Sequence, residues 1–213
     1  MKTIDLIGLL AKGEVPGPRH ALARRFALAL IAGGLGALLL MMAVYGVRAD
    51  LADVARLPLF WARLALPASL AAAALWLCSR LARPGVNGGA AWVVLALPIV
   101  LVWLGGAMAL VGAPVESRAE LMLGRTWRTC ALNIGLLGIP ALAAVFWALR
   151  GLAPTQLRRA GAAGGLLAGA VATLAYCLHC PEMEVPFWGV WYVLGMALPT
   201  VLGALLGPRL LRW

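Results

Sequence analysis

The run Phe26–Tyr45, FALALIAGGLGALLLMMAVY, carries no charged side chain over twenty residues. At 1.5 Å per residue, about 20 apolar residues in a helix cross the hydrocarbon core of a bilayer. Polar and apolar residues do not alternate along the run, which excludes a strand of a membrane barrel. A backbone in lipid must satisfy its own hydrogen bonds, and outside a closed barrel only a helix does so. Five more apolar runs follow: Leu59–Cys78, Ala91–Val111, Thr129–Leu149, Ala160–Tyr176 and Phe187–Leu206. The expected fold is therefore all-α, a polytopic membrane protein with a bundle of six transmembrane helices.

Composition agrees. The chain has 213 residues, of which 63% are hydrophobic and 12% charged, about half the charge of a soluble domain. About 25 polar and basic residues precede the first run, which has full spanning length, so no cleavable signal peptide is expected. Two parts follow: a cytoplasmic amphipathic segment, 1–25, and a six-helix transmembrane domain, 26–213. No part outside the spans is long enough to fold alone.

Orientation comes from lysine and arginine, which favour the cytoplasmic side. Twelve lie on the side that holds both termini and six on the other, where Arg63 stands just inside the second run. Both termini are thus expected to be cytoplasmic, in a bacterial inner membrane. Six of the eight acids fall on the outer side, leaving the inner face at about +10 and the outer about neutral. A basic inner face suits anionic lipid headgroups, and the short loops give no case for direct nucleic-acid binding. Arg63, beside Phe60 and Trp61, reads most simply as an arginine that snorkels to the outer interface, a buried functional charge being the alternative.

Several residues shape the spans. Pro67, Pro98, Pro140 and Pro199 interrupt four of them and can kink a helix. Gly161, Gly165 and Gly169 recur every four residues in the fifth, a small-residue face that lets another helix approach closely. Such a face packs within one chain or in a dimer equally well, so the oligomeric state stays open. Trp127, Phe187, Trp188, Trp191 and Tyr192 are read as anchors at the outer interface.

Chemistry concentrates in Tyr176–Tyr192, YCLHCPEMEVPFWGVWY. Cys177-Leu-His-Cys180 fits C-x-x-C, in which two sulfurs can cycle between dithiol and disulfide. Without a thioredoxin-like context the motif alone is weak. Cys130 shares the outer face, where disulfides persist, while Cys78 lies at the inner end of the second run. A second reading is metal binding: Cys177, His179, Cys180 and Glu182 offer donors, and Cys130 completes the set. A static disulfide and plain packing of cysteines complete the alternatives. No Ser/His/Asp set, phosphate-binding glycine loop or pair of carboxylates within a span is present.

Taken together, several motifs resemble the NrsF (negative regulator of sigma F) family of six-helix bacterial membrane anti-sigma factors. They are the opening MKTIDLIGLLA, Trp127-x-x-Cys130, Ala153-Pro154, Cys180-Pro181-Glu182 and Phe187-Trp188-x-x-Trp191-Tyr192-x-x-Gly195. The resemblance implies a protein that is no enzyme and holds an extracytoplasmic-function sigma factor inactive at the membrane. It implies contact through the N-terminal segment, and a response of Cys130 and Cys180 to metal or oxidative stress. Cys177 has no counterpart in that pattern. The segment's apolar face supplies Ile4, Asp5, Leu6, Ile7 and Leu10 for a helix-in-groove contact; an interfacial helix lying on the membrane is the plainer reading. No cofactor is required, and a heavy-metal ion enters only as a signal. The competing classes are a periplasm-facing thiol oxidoreductase linked to quinone, which needs two cooperating thiol pairs, and a small transporter, which the carboxylate-free spans disfavour.

Overall fold

The computed structural model describes residues 21–83, 85–152 and 154–212. Among these residues the regular structure is entirely helical. The helices are α1 (Ala21–Val44), α2 (Leu51–Val54), α3 (Pro58–Leu81), α4 (Ala91–Gly112), α5 (Val115–Leu123), α6 (Trp127–Arg150), α7 (Leu157–Tyr176) and α8 (Val185–Leu210). The N-terminal contact residues Ile4, Asp5, Leu6, Ile7 and Leu10 lie outside the described residues.

The six long helices coincide with the six apolar runs, with ends shifted by local chemistry. Pro58 opens α3 and Pro186 lies in the first turn of α8, where a missing N–H costs nothing. Pro67, Pro98 and Pro140 are each accommodated within a helix, and α8 continues through both Pro199 and Pro208. Two short helices occupy connections that read as plain loops. One of them, α5, has no buried residue and carries Glu116, Arg118 and Glu120.

Five helical stretches are long and apolar enough to cross a membrane: α1 from Leu22, α3, α4, Val115–Arg150 with α6 inside it, and α8. The exception, α7, carries Arg158 and Arg159 in its first turn and is otherwise rich in glycine and alanine. Its place in the bundle explains its composition. It packs against α1, α3, α6 and α8, and thirteen of its 20 residues are buried. A helix enclosed by protein needs small side chains for close approach rather than large apolar ones for lipid. Its opposite is α4, which packs chiefly against α3 and α8 and exposes Val93, Leu97, Leu101, Leu104, Met108 and Val111.

The seam between α7 and α8 is glycine-lined on both sides. A Cβ at Gly161 would overlap the Gly203 carbonyl oxygen, and one at Gly165 the Pro199 carbonyl oxygen. At Gly169 it would lie 2.8 Å from Pro199 Cγ and 3.0 Å from Met196 Cα. Backbone cannot yield as a flexible side chain can. Gly165→Ala should therefore separate the helices and lose about 1–3 kcal/mol of stability, the usual range for overpacking. Gly34→Ala, where the nearest atom would be Val171 Cγ1 at 3.8 Å, should be neutral; thermal unfolding in detergent compares the two.

Candidate functional site

Helix α7 does not stop cleanly at Tyr176. Cys177 N–H donates to Thr173 O at 2.9 Å, and the His179 and Cys180 N–H groups both donate to Tyr176 O at 3.0 Å. This extra turn winds Cys180 back over the helix end, and Pro181 then prevents further winding. Cys177 and Cys180 therefore face inward, into an apolar cluster that also holds Cys130, Tyr176, Phe187, Trp188 and Tyr192. All three thiols are fully buried.

Cys130 comes from the first turn of α6, and Glu182 fixes that turn against the thiol loop. One carboxylate oxygen of Glu182 accepts from Arg125 N–H at 2.8 Å, Thr126 N–H at 3.2 Å and the Thr126 hydroxyl at 3.3 Å. A carboxylate at a helix N-terminus satisfies donors that lack intrahelical partners and favours the dipole. Cys130 lies four residues after Thr126 and donates its N–H to Thr126 O. Cys180 lies two residues before Glu182. The cap thus brings the Cys130 and Cys180 thiols side by side.

Two arginines hold the loop from the other side. Arg63 of α3 is completely buried. Its Nη1 donates to Cys180 O at 3.0 Å and Glu182 O at 2.6 Å, and its Nη2 to Cys177 O at 2.7 Å. Its charge also lies 5.3 Å from the Phe60 ring centre. Snorkelling is thus corrected: the carbonyls of the loop supply the acceptors that interfacial water would have given, so the side chain turns inward. Arg48, between α1 and α2, donates to Cys180 O at 3.0 Å and pairs with Asp50 at 2.7 Å. That pairing holds the Asp50 carboxyl below its usual range.

A polar chain lines the cluster. Tyr45 Oη donates to Asn133 Oδ1 at 3.0 Å, and Asn133 Nδ2 donates to Tyr176 Oη at 3.4 Å. The Tyr192 hydroxyl is buried without a hydrogen bond of standard geometry, and Cys177 and Cys180 are its neighbours. Burial pushes the Cys177 thiol up to about 12. Cys180 goes the other way, to about 6. The Cys130 thiol does most to lower it, followed by the Tyr192 hydroxyl, the Glu182 backbone and the Arg63 charge, against a burial that raises it.

The five residues read as metal ligands do not converge. Among the described residues no group of three or more His, Cys, Asp or Glu is placed to hold a metal ion. Glu182 is turned to Thr126. His179 places Nδ1 3.0 Å from Gly46 O and its ring 5.3 Å from that of Tyr45. Cys78 belongs to a separate cluster with Leu77, Leu81 and Leu149.

The anchors divide as well. Trp127 and Trp191 are half-buried and pair at 5.4 Å between ring centres. Phe187, Trp188 and Tyr192 are buried around the thiols and are no lipid-facing anchors. Helix α8 turns these residues into the bundle, so their rings fill its core.

A family model described as "Negative regulator of sigma F" matches residues 10–213. The chain belongs to the NrsF family. It is 46% identical to a probable anti-sigma-F factor NrsF of Azospira oryzae over 100% of both chains. It is 38% identical to the anti-sigma-F factor NrsF of Caulobacter vibrioides, again over 100% of both. No solved structure matches the chain.

Among the residues that build this site in the NrsF chain, Arg63 and Arg48 escaped the motif reading. The one available signal was a charged residue inside an apolar run. Arg63→Met removes a donor from the Cys177 and Glu182 carbonyls. At about 1–3 kcal/mol for each buried acceptor left unmade, it should lose about 2–6 kcal/mol, read by thermal unfolding of the purified protein.

Proposed function

We propose that this chain is a membrane-embedded anti-sigma factor that sequesters an extracytoplasmic-function sigma factor and releases it when the outer thiols are oxidised. The observation that carries the reading is likeness over the whole chain to two proteins named as anti-sigma-F factors. A regulator of this kind performs no catalysis.

The topology proposed is six spans, including the glycine-rich α7, with both termini in the cytoplasm of a bacterial inner membrane. Five stretches of sufficient length and apolarity support it, as does the excess of lysine and arginine on one side. The sigma factor is proposed to dock on the N-terminal segment through Ile4, Asp5, Leu6, Ile7 and Leu10.

The signal is proposed to enter at Cys130 and Cys180, which share a buried cluster at the end of the bundle opposite the start of α1. Oxidation in preference to metal capture is favoured by the failure of His179 and Glu182 to join the thiols. A disulfide between α6 and the α7–α8 connection would change how α7 and α8 sit against their neighbours. Coupling of that change to the far end needs an element with two arrangements; the α7–α8 pair, packed on its glycines, is the proposed one.

Two experiments test the reading. Cys130→Ser with Cys180→Ser should abolish oxidant induction of the sigma-dependent genes while leaving their repression intact; unchanged induction refutes the sensing step. Deletion of residues 1–15 should abolish recovery of the sigma factor with the membrane protein. Undiminished recovery refutes the proposed docking segment.

A further inference from the structure

The two sulfurs that lie together are placed unequally. Cys130 sits within the first turns of a regular helix, with its N–H in the helical ladder. Cys180 sits in the connection, followed by exposed Pro181 and flanked by half-buried His179 and Glu182. The Cys180 sulfur shares a buried cluster with Cys130, Cys177, Tyr176 and Tyr192, and of these side chains Cys130 and Tyr192 most favour its thiolate. The Tyr192 hydroxyl is buried beside Cys177 and Cys180 with no hydrogen-bond partner of standard geometry.

The charges around the pair come from every neighbouring element. Arg63 reaches the loop from α3 and Arg48 from the α1–α2 connection. Tyr176 and Cys177 stand at the end of α7, and Tyr192 on α8. The nearby carboxylates are committed elsewhere, Asp50 to Arg48 and Glu182 to the start of α6. Arg63 therefore brings a buried positive charge that has no carboxylate partner among the described residues. Such a charge is costly unless an anion lies near, and a Cys180 thiolate is the anion this site can provide.

We propose that Cys180 is the thiolate that meets the oxidant, that Cys130 is the thiol that resolves the product, and that Arg63 is the positioning residue for Cys180. The inference rests on the thiol-sensing reading above and assigns its chemistry. With a hydroperoxide as oxidant, the Cys180 thiolate attacks one peroxide oxygen and the O–O bond breaks. With one proton taken up, the products are a Cys180 sulfenic acid and an alcohol, or water from hydrogen peroxide. The Cys130 sulfur then attacks the Cys180 sulfur. The S–O bond breaks, water leaves with the Cys130 proton, and a disulfide remains. Two electrons have passed from the two sulfurs to the peroxide.

The test uses the purified full chain in detergent, hydrogen peroxide as the oxidant, a 1,3-dione trap for sulfenic acid, and peptide mass spectrometry. Cys130→Ser should accumulate trapped sulfenic acid on Cys180. Cys180→Ser should label Cys130 on the order of 10-fold more slowly, because the thiolate is the nucleophile. Equal or faster labelling of Cys130 overturns the assignment. The rate of Cys180 labelling in Cys130→Ser against pH should rise through a midpoint well below the ordinary thiol value of about 8.5.

Adding Arg63→Met should move that midpoint upward, whatever the opened loop does to the plateau, and Arg63→Lys should restore it. An unmoved midpoint makes Arg63 merely structural. Where Arg63→Met does not accumulate, Tyr192→Phe carries the test, since it removes the hydroxyl beside the sulfur and leaves the ring in place. Its midpoint should also rise, and an unmoved one overturns the thiolate cradle. A failure of the sensing role itself would show separately, as unchanged gene induction with this order of thiol reactions intact.

Discussion

A guanidinium sealed from water and bound to three carbonyls of one short loop is the constraint on which the outer end of this bundle depends. Arg63 can be buried only because the segment after α7 winds an extra turn and directs the Cys177, Cys180 and Glu182 carbonyls at it. The segment in turn can adopt that path because its carbonyls have a donor. A planar fork with several N–H groups bridges three acceptors in a way that a lysine ammonium cannot. Removing either side strands polar groups in an apolar interior, where they cost far more than at a surface.

From that point the structure divides into two dependencies. Toward α6, the Glu182 carboxylate caps the helix that carries Cys130, so the geometry of the sulfurs follows from a helix-capping interaction. Toward the far end, α7 and α8 run together on a seam in which glycine backbones touch. Because neither helix can move away from the other without losing that contact, a displacement of the thiol loop bears on both. Packed interfaces of this kind tend to hold discrete arrangements rather than deform continuously.

Membership of the NrsF family gives the chain its most direct functional context, while the structure gives the chemistry at the loop. The thiols are not assembled as a metal site, since the histidine and the glutamate beside them are engaged in holding backbone. Nor does the C-x-x-C behave as a motif of two equivalent sulfurs. Cys177 is buried where its anion is disfavoured, whereas Cys180, one turn on, lies in the connection with Cys130 and Tyr192 beside it. The same spacing thus places the two thiols in different surroundings.

Much of the architecture was legible in the sequence because uninterrupted apolar runs have one stable answer, the helix. Phe26–Tyr45 reads as a helix on sight, and the four-residue spacing of Gly161, Gly165 and Gly169 identifies a close-packed face without naming its partner. Cysteine, histidine and acid in one tract marked the site. Sequence by itself could not say that Arg63 points inward, that Glu182 caps α6, or that Phe187, Trp188 and Tyr192 fill the core. The first two of those outcomes depend on groups more than 50 residues away that supply an acceptor or a donor, and the third on the cavity that the other helices leave. Hydrophobic periodicity is a local property and determined the helices. The satisfaction of buried polar groups is a long-range one, and only the tertiary structure decided it.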